Sequence, residues 1–311
     1  MRGPQSRSEG KQNRVRRRRP RSDRGVAPIL GALLVLVIVL TAFALVMTQA
    51  LPVWMAQDET SLGRGVEGSL ASLQASVDLQ SAFGAPAVVY QPIPLSSGSV
   101  PVLAAPTIGS AAFAPAGPTG YANVTWSATS GGGAGSENVS FGELWVELPN
   151  RYIPSATYAF EGGAVISESG NGPPTIASPP PFAVGASGGN RTVELTLVSM
   201  TGPPQSIGGA GSHEIVDQLR AVQELSRAEA AGFTVTWTIQ SSFACAWAAW
   251  ALPALADSGL PSTAYSIQGP TGCAAGEGAS GTLVVSISGV TWLSVDRLTV
   301  ALSLSAAGGG A

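Results

Sequence analysis

The chain has 311 residues, of which 45% are hydrophobic and only 11% charged, with a formal net charge of −3. So few charges exclude an ordinary soluble cytoplasmic protein of this length. The charge is also segregated: residues 1–25 carry ten of the 16 Lys and Arg against two acids, Glu9 and Asp23, whereas the remainder carries six against 17. A basic tail alone reads either as a nucleic-acid arm or as a membrane-flanking leader, and the segment next to it decides for the membrane.

From Val26 to Gln57 no residue is charged, and Pro28 to Val46 is apolar almost throughout. Counted on to Met55, the stretch is long enough to cross a hydrocarbon core of about 30 Å at roughly 1.5 Å per residue. Residues 26–55 are therefore expected to form a transmembrane helix. A short, strongly basic segment before the span places the N-terminus in the cytoplasm and the remainder outside the cell. Trp54 falls where an interfacial aromatic anchors a span, and Pro52 lies near the same exit. A cleaved secretory signal, for which Thr48-Gln49-Ala50 offers small residues, has a shorter apolar region of about 7–15 residues. Arg16 to Arg19 are not followed by the short, weakly apolar segment of a twin-arginine signal.

Between leader and span the sequence reads S-D-R-G-V-A-P-I-L-G. This resembles the class III (prepilin) signals of archaeal pilins and archaellins, in which a basic and a small residue precede the cleaved bond and the apolar helix follows at once. Val-Ala-Pro-Ile-Leu-Gly is similar to the Val-Ser-Pro-Val-Ile-Gly of haloarchaeal pilin-like proteins. The resemblance implies a processing site at Arg24, Gly25 and Val26, with a prepilin peptidase as partner. Pro28 suits the first turn of the processed helix, where its missing N–H breaks no bond. Bacterial-type pilins carry Glu at the fifth mature position; here it is Leu30, so filament assembly through that contact is not implied.

Beyond the span, Leu62, Val66, Leu70, Leu73 and Val77 recur at helical spacing, which predicts a helical stalk over residues 56–84 that docks on the domain beyond it. Gly63, Gly65 and Gly68 weaken that helix and call for a packing partner, and Gly84 is a plausible stop. Short alternating runs then predict strands at Ala87–Tyr90, Asn123–Ser127, Glu143–Leu148, Thr192–Val198, Phe233–Ile239, Thr282–Ile287 and Leu298–Ser303. Helices are expected over His213–Ala231, with Ser212 as N-cap, and over Ala244–Leu255. Gly131–Gly135, Pro173–Pro181 and Gly202–Gly211 read as loops, and residues 306–311 as a flexible tail. The expected fold is thus an N-terminal transmembrane helix and helical stalk, followed by a mainly β, sandwich-like extracellular domain over residues 85–305 with one or two helical insertions.

Chemistry-bearing motifs are sparse. His213, the one histidine, precedes Glu214 without the second histidine that a zinc-protease helix needs. Gly185-Ala186-Ser187-Gly188-Gly189 matches the G-x-S-x-G pattern, but that motif works only between a strand and a helix. No catalytic residue, metal site or cofactor is expected. Cys245 and Cys273, the only cysteines, are expected to form a disulfide on the exterior, with free thiols and metal ligation as weaker alternatives. Asn123, Asn138 and Asn190 each open an N-glycosylation sequon.

These features predict a non-enzymatic cell-surface protein, pilin-like and anchored by its N-terminal helix. Its expected partners are the membrane, the prepilin peptidase, and other pilin-like subunits or cell-surface components, with no nucleic acid. The alternative is an extracellular binding module on an uncleaved signal anchor, and behind that an anchored hydrolase.

Overall fold

A computed structural model of the chain describes residues 26–84, 86–99, 104–117, 120–128, 133–170, 172–270, 273 and 280–306. The chain divides into two units, Met1–Ala50 and Leu51–Ala311.

In the first unit, helix α1 (Val26–Leu45) runs into a π-helical turn, Val46–Ala50. Every side chain from Ile29 to Leu45 is exposed. An 18-residue window here reaches a mean hydropathy of 3.1 with none of it buried, so this helix is long and apolar enough to cross a membrane. It is apolar on every side rather than along one stripe. Its hydroxyls are turned back on the helix: Thr41 and Thr48 donate to the carbonyls of Val37 and Ala44 at 2.7 and 2.8 Å. That satisfies them without water.

The second unit opens with helix α2 (Leu51–Phe83). The strands after it are β1 (Val88–Ile93), β2 (Ser110–Ala114), β3 (Tyr121–Ala128), β4 (Ala134–Ser140), β5 (Glu143–Leu148), β6 (Ala156–Glu161) and β7 (Ala164–Ser169). Next come β8 (Thr175–Ser178), β9 (Phe182–Ser187), β10 (Asn190–Thr201), β11 (Gln205–Gly208) and the long β12 (His213–Ser241). Helix α3 (Ala244–Asp257), β13 (Tyr265–Gln268) and β14 (Gly281–Ala306) complete the unit.

The strands form two sheets. An eight-stranded sheet has the order β4-β3-β12-β14-β10-β9, with β1 on β12 and β13 on β14; a six-stranded sheet has the order β11-β2-β5-β6-β7-β8. All pairs are antiparallel except β10 with β14. The length of β12 lets two strands share one of its edges, β3 along residues 233–240 and β1 along residues 213–218.

Alternation in the sequence becomes alternation in burial. Val235, Trp237 and Ile239 are buried while Thr234, Thr236 and Thr238 face outward. One core gathers these residues with α3 and one face of β6 and β7, including Ala159, Ala164 and Ile166. Trp237, Trp247 and Trp250 meet edge to face there, at 6.0 to 6.4 Å between ring centroids. The other core holds Leu62, Val66, Leu70, Leu73 and Val77, the five residues whose spacing predicted a helix face, against the opposite face of the six-stranded sheet and the end of β14. Two helix glycines serve this docking: a Cβ at Gly63 would stand 2.6 Å from the Tyr158 hydroxyl, and one at Gly65 would stand 3.0 Å from Pro94.

Several expectations are corrected. His213–Ala231 is not a helix but the first part of β12. Its good helix formers are overridden because β1 and β14 supply backbone partners on both sides of residues 213–218. Beyond Leu219 the strand pairs with β14 through repeated register shifts. Thr282–Ile287 and Leu298–Ser303 are parts of one strand, β14. The loops expected at Pro173–Pro181 and Gly202–Gly211 contain β8 and β11, and Gly135 lies in β4. Ala306 ends β14, while residues 307–311 of the expected tail lie outside the described residues.

Candidate functional site

Three buried carboxylates, Glu59, Asp217 and Glu161, stand outside the aromatic core of the second unit. Glu59 stands on the apolar face of α2, one turn from Met55 and Leu62, and is fully buried. Its Oε1 accepts hydrogen bonds from the Arg151 N–H at 2.8 Å and the Thr107 hydroxyl at 2.5 Å; Oε2 accepts from the N–H groups of Tyr152 and Ile153 at 2.9 and 3.0 Å. Burial pushes its pKa up, but the four donors outweigh burial and hold it below the ordinary glutamate value.

Asp217 faces the same helix from β12 and is also fully buried. Its Oδ2 accepts from the Ser76 hydroxyl at 2.9 Å and from Gln80 Nε2 at 2.7 Å, and Gln80 Oε1 in turn accepts from the Leu219 N–H. Oδ1 has no partner among the described residues. Here burial wins over these bonds, and the pKa is raised.

Glu161 ends β6 directly opposite Glu143 of β5. Glu161 is 2% exposed. The Ser241 hydroxyl donates to its Oε2 at 2.9 Å, and Oε1 has no partner among the described residues. Burial pushes its carboxyl up to about 8, with the Ser241 bond opposing and the Glu143 carboxylate adding to the rise. Burial also raises Glu143, opposed by the Ser242 hydroxyl at 3.2 Å. The two acids share a cavity of about 30 Å³. Among the described residues no three His, Cys, Asp or Glu side chains converge as a metal centre.

An apolar groove of about 550 Å³ runs between α2 and β1, walled by Ala75, Leu79, Phe83, Ala87 and Val89. Leu79 and Phe83 are 59% and 75% exposed. The groove's described lining also includes Ser72, Ser76, Gln80 and Gln91, and none of the described lining residues is ionisable.

Of the residues singled out in the sequence, Cys245 and Cys273 form a disulfide, with their Cα atoms 5.5 Å apart, tying the start of α3 to the segment before β14. His213 is not in a helix's first turn. It is the buried first residue of β12, with Nε2 3.3 Å from the Gly209 carbonyl. Ser187 ends β9, and Gly188 and Gly189, both at positive φ, turn the chain straight into β10. A strand follows where a nucleophile elbow needs a helix. Asn138 and Asn190 are exposed; Asn123 is half-buried directly opposite Asn138 and accepts the Ser136 hydroxyl at 3.1 Å. Arg24 and Gly25 lie outside the described residues, and Val26 lies within α1.

Sequence reasoning missed all three buried acids. Glu59 was legible in principle, because it occupies an apolar-stripe position between Met55 and Leu62. Asp217 likewise alternates with Ile215 and Leu219 on one strand face. Glu161 has no such signal.

No protein-family model, curated protein or solved structure matches this chain.

Proposed function

We propose that the chain is a membrane-anchored, non-enzymatic surface protein of the type IV pilin-like kind, with a basic cytoplasmic leader, α1 in the bilayer and the β domain outside the cell. The observation that carries this reading is α1 itself, exposed and apolar on all sides from Ile29 to Leu45. Such a surface finds a compatible solvent only in lipid or among like helices. The disulfide fits an oxidising exterior, and two of the three sequons stand exposed. The open apolar groove beside α2 fits a protein that works by contact.

In this reading a prepilin peptidase cuts between Gly25 and Val26, which removes all ten basic residues of the leader. The freed helix then packs with other apolar helices through small residues such as Gly31, Ala32 and Ala42. The test is the N-terminal sequence of the protein recovered from membranes, which should begin at Val26. Replacing Gly25 with Trp should leave a chain about 25 residues longer that still reaches the membrane. A wild-type chain that keeps Met1 to Arg24 would establish the uncleaved anchor instead. One beginning near Leu51 would make the protein a secreted one. Protease added to intact cells should remove the β domain and spare the leader.

A further inference from the structure

Glu143 and Glu161 are direct cross-strand partners in the β5–β6 register, so their side chains leave the six-stranded sheet on one face. Like charges in that relation repel. Among the described residues no counter-ion meets them: the one ion pair there joins Arg227 to Glu224, and no lysine occurs beyond Lys11. Glu161 is moreover sealed from water, with Ser241 holding one oxygen and no described residue donating to the other. A buried carboxyl without a donor either keeps its proton, as burial favours here, or gives it up to a cation that meets the bare oxygen.

The unpartnered oxygen borders the shared cavity. A Cβ on the lining residue Gly120 would come to 3.5 Å from Oε1. Around the two acids the wall is made by Ala114, Pro115 and three glycines, at 117, 120 and 142, which brings main chain rather than side chains to the space. At Gly142 this is obligatory. Its φ is +80°, and a Cβ there would stand 2.8 Å from the Ala116 nitrogen and 3.1 Å from the Ala114 oxygen. About 30 Å³ holds a single small guest.

We propose that Glu143 and Glu161 bind one Ca²⁺ ion, with main-chain oxygens of the cavity wall completing its shell. Ca²⁺ accepts an irregular set of carboxylate, carbonyl and water oxygens, whereas Mg²⁺ keeps several waters for which this cavity has no room. Zn²⁺ and its neighbours favour His and Cys, and neither is among the described residues that line the site. Through the serines that hold the acids, the ion braces β5 and β6 against the end of β12 and the turn into α3. The proposal rests on the second unit alone and stands whether or not the leader is cleaved.

The test uses the full chain in detergent, stripped with EGTA and titrated with CaCl₂ by calorimetry and thermal melting, with MgCl₂ in parallel. One Ca²⁺ per chain should bind with a Kd of about 10⁻⁴ to 10⁻³ M or tighter, and raise the Tm. Mg²⁺ should bind at least about tenfold more weakly. Glu143→Gln, which leaves the buried Glu161 in place, should weaken Ca²⁺ binding by about tenfold or more. Glu161→Gln should abolish it, and Glu147→Gln on the same strand should leave it unchanged. No saturable Ca²⁺ binding by the wild-type chain, or binding that survives undiminished in both Glu143→Gln and Glu161→Gln, overturns the proposal.

Discussion

Glu59 and Asp217 hold the same helix to the same β domain, and they do it in opposite electrostatic conditions. Glu59 reaches out from α2 and collects four donors, three of them main-chain N–H groups of residues 151–153. Asp217 reaches in from β12 and collects two side-chain donors on one oxygen, leaving the other bare among the described residues. Both are fully buried, yet one pKa falls and the other rises. Burial alone therefore says little about whether a carboxylate is at ease in its charged form; the number of donors decides. Glu59 works as a clamp that prefers its charge, and Asp217 as a join that tolerates it.

Removing the clamp should have the largest effect. Glu59→Ala strands three main-chain N–H groups and the Thr107 hydroxyl in the interior, at a cost of about 3 kcal/mol or more in denaturant unfolding of the full chain. A loss below about 1 kcal/mol would mean that water reaches those donors, and the contrast would collapse.

Asp217→Asn keeps the acceptor for Ser76 and Gln80 and discards the buried charge. Its stability at neutral pH should stay within about 1 kcal/mol of wild type, or exceed it. A loss equal to that of Glu59→Ala would show that Asp217 is as fully satisfied as Glu59.

The smallest and sharpest effect should appear as pH is lowered. Glu59 has a depressed folded pKa, so its contribution is present above the unfolded value near 4.5 and is lost as pH falls through the folded value below that. Asp217 has a raised folded pKa, so its contribution is complete below the unfolded value near 3.8 and is lost as pH rises through the folded value. Hydrogen exchange, corrected for intrinsic rates, should therefore show the amides of residues 151–153 losing protection in acid. The Leu219 amide, which answers to Gln80, should gain it. Parallel changes at the two places would show that α2 responds to pH as one rigid piece.

Much of this fold is legible in the sequence because burial leaves a periodic trace. The apolar run from Val26, the stripe from Leu62 to Val77 and the Thr-alternating run from Phe233 to Ile239 each announce their element. The first part of β12 does not, since Asp217 interrupts its apolar face and Ala, Glu, Leu and Arg beyond it suit a helix as well as a strand. Only partners distant in sequence, β1 and β14, decide the matter. The Cys245–Cys273 pairing was legible from the count of two, whereas the Glu143–Glu161 pairing depends on a strand register that composition does not specify.

The core beneath α2 has a consequence for how the molecule comes into being. Leu62 to Val77 leave the ribosome among the first structured residues of the second unit, yet part of their packing surface is Leu298, Val300, Leu302 and Leu304, which leave it last. Contacts spanning over 200 residues are slow to form, because nearly the whole loop must close before any of them is made. During that interval the apolar stripe has only part of its cover, and a chain that stops before β14 leaves that core incomplete. The core under the first helix of the domain is thus complete only when the last strand has arrived, and until then part of it presents the kind of surface that chaperones and proteases recognise.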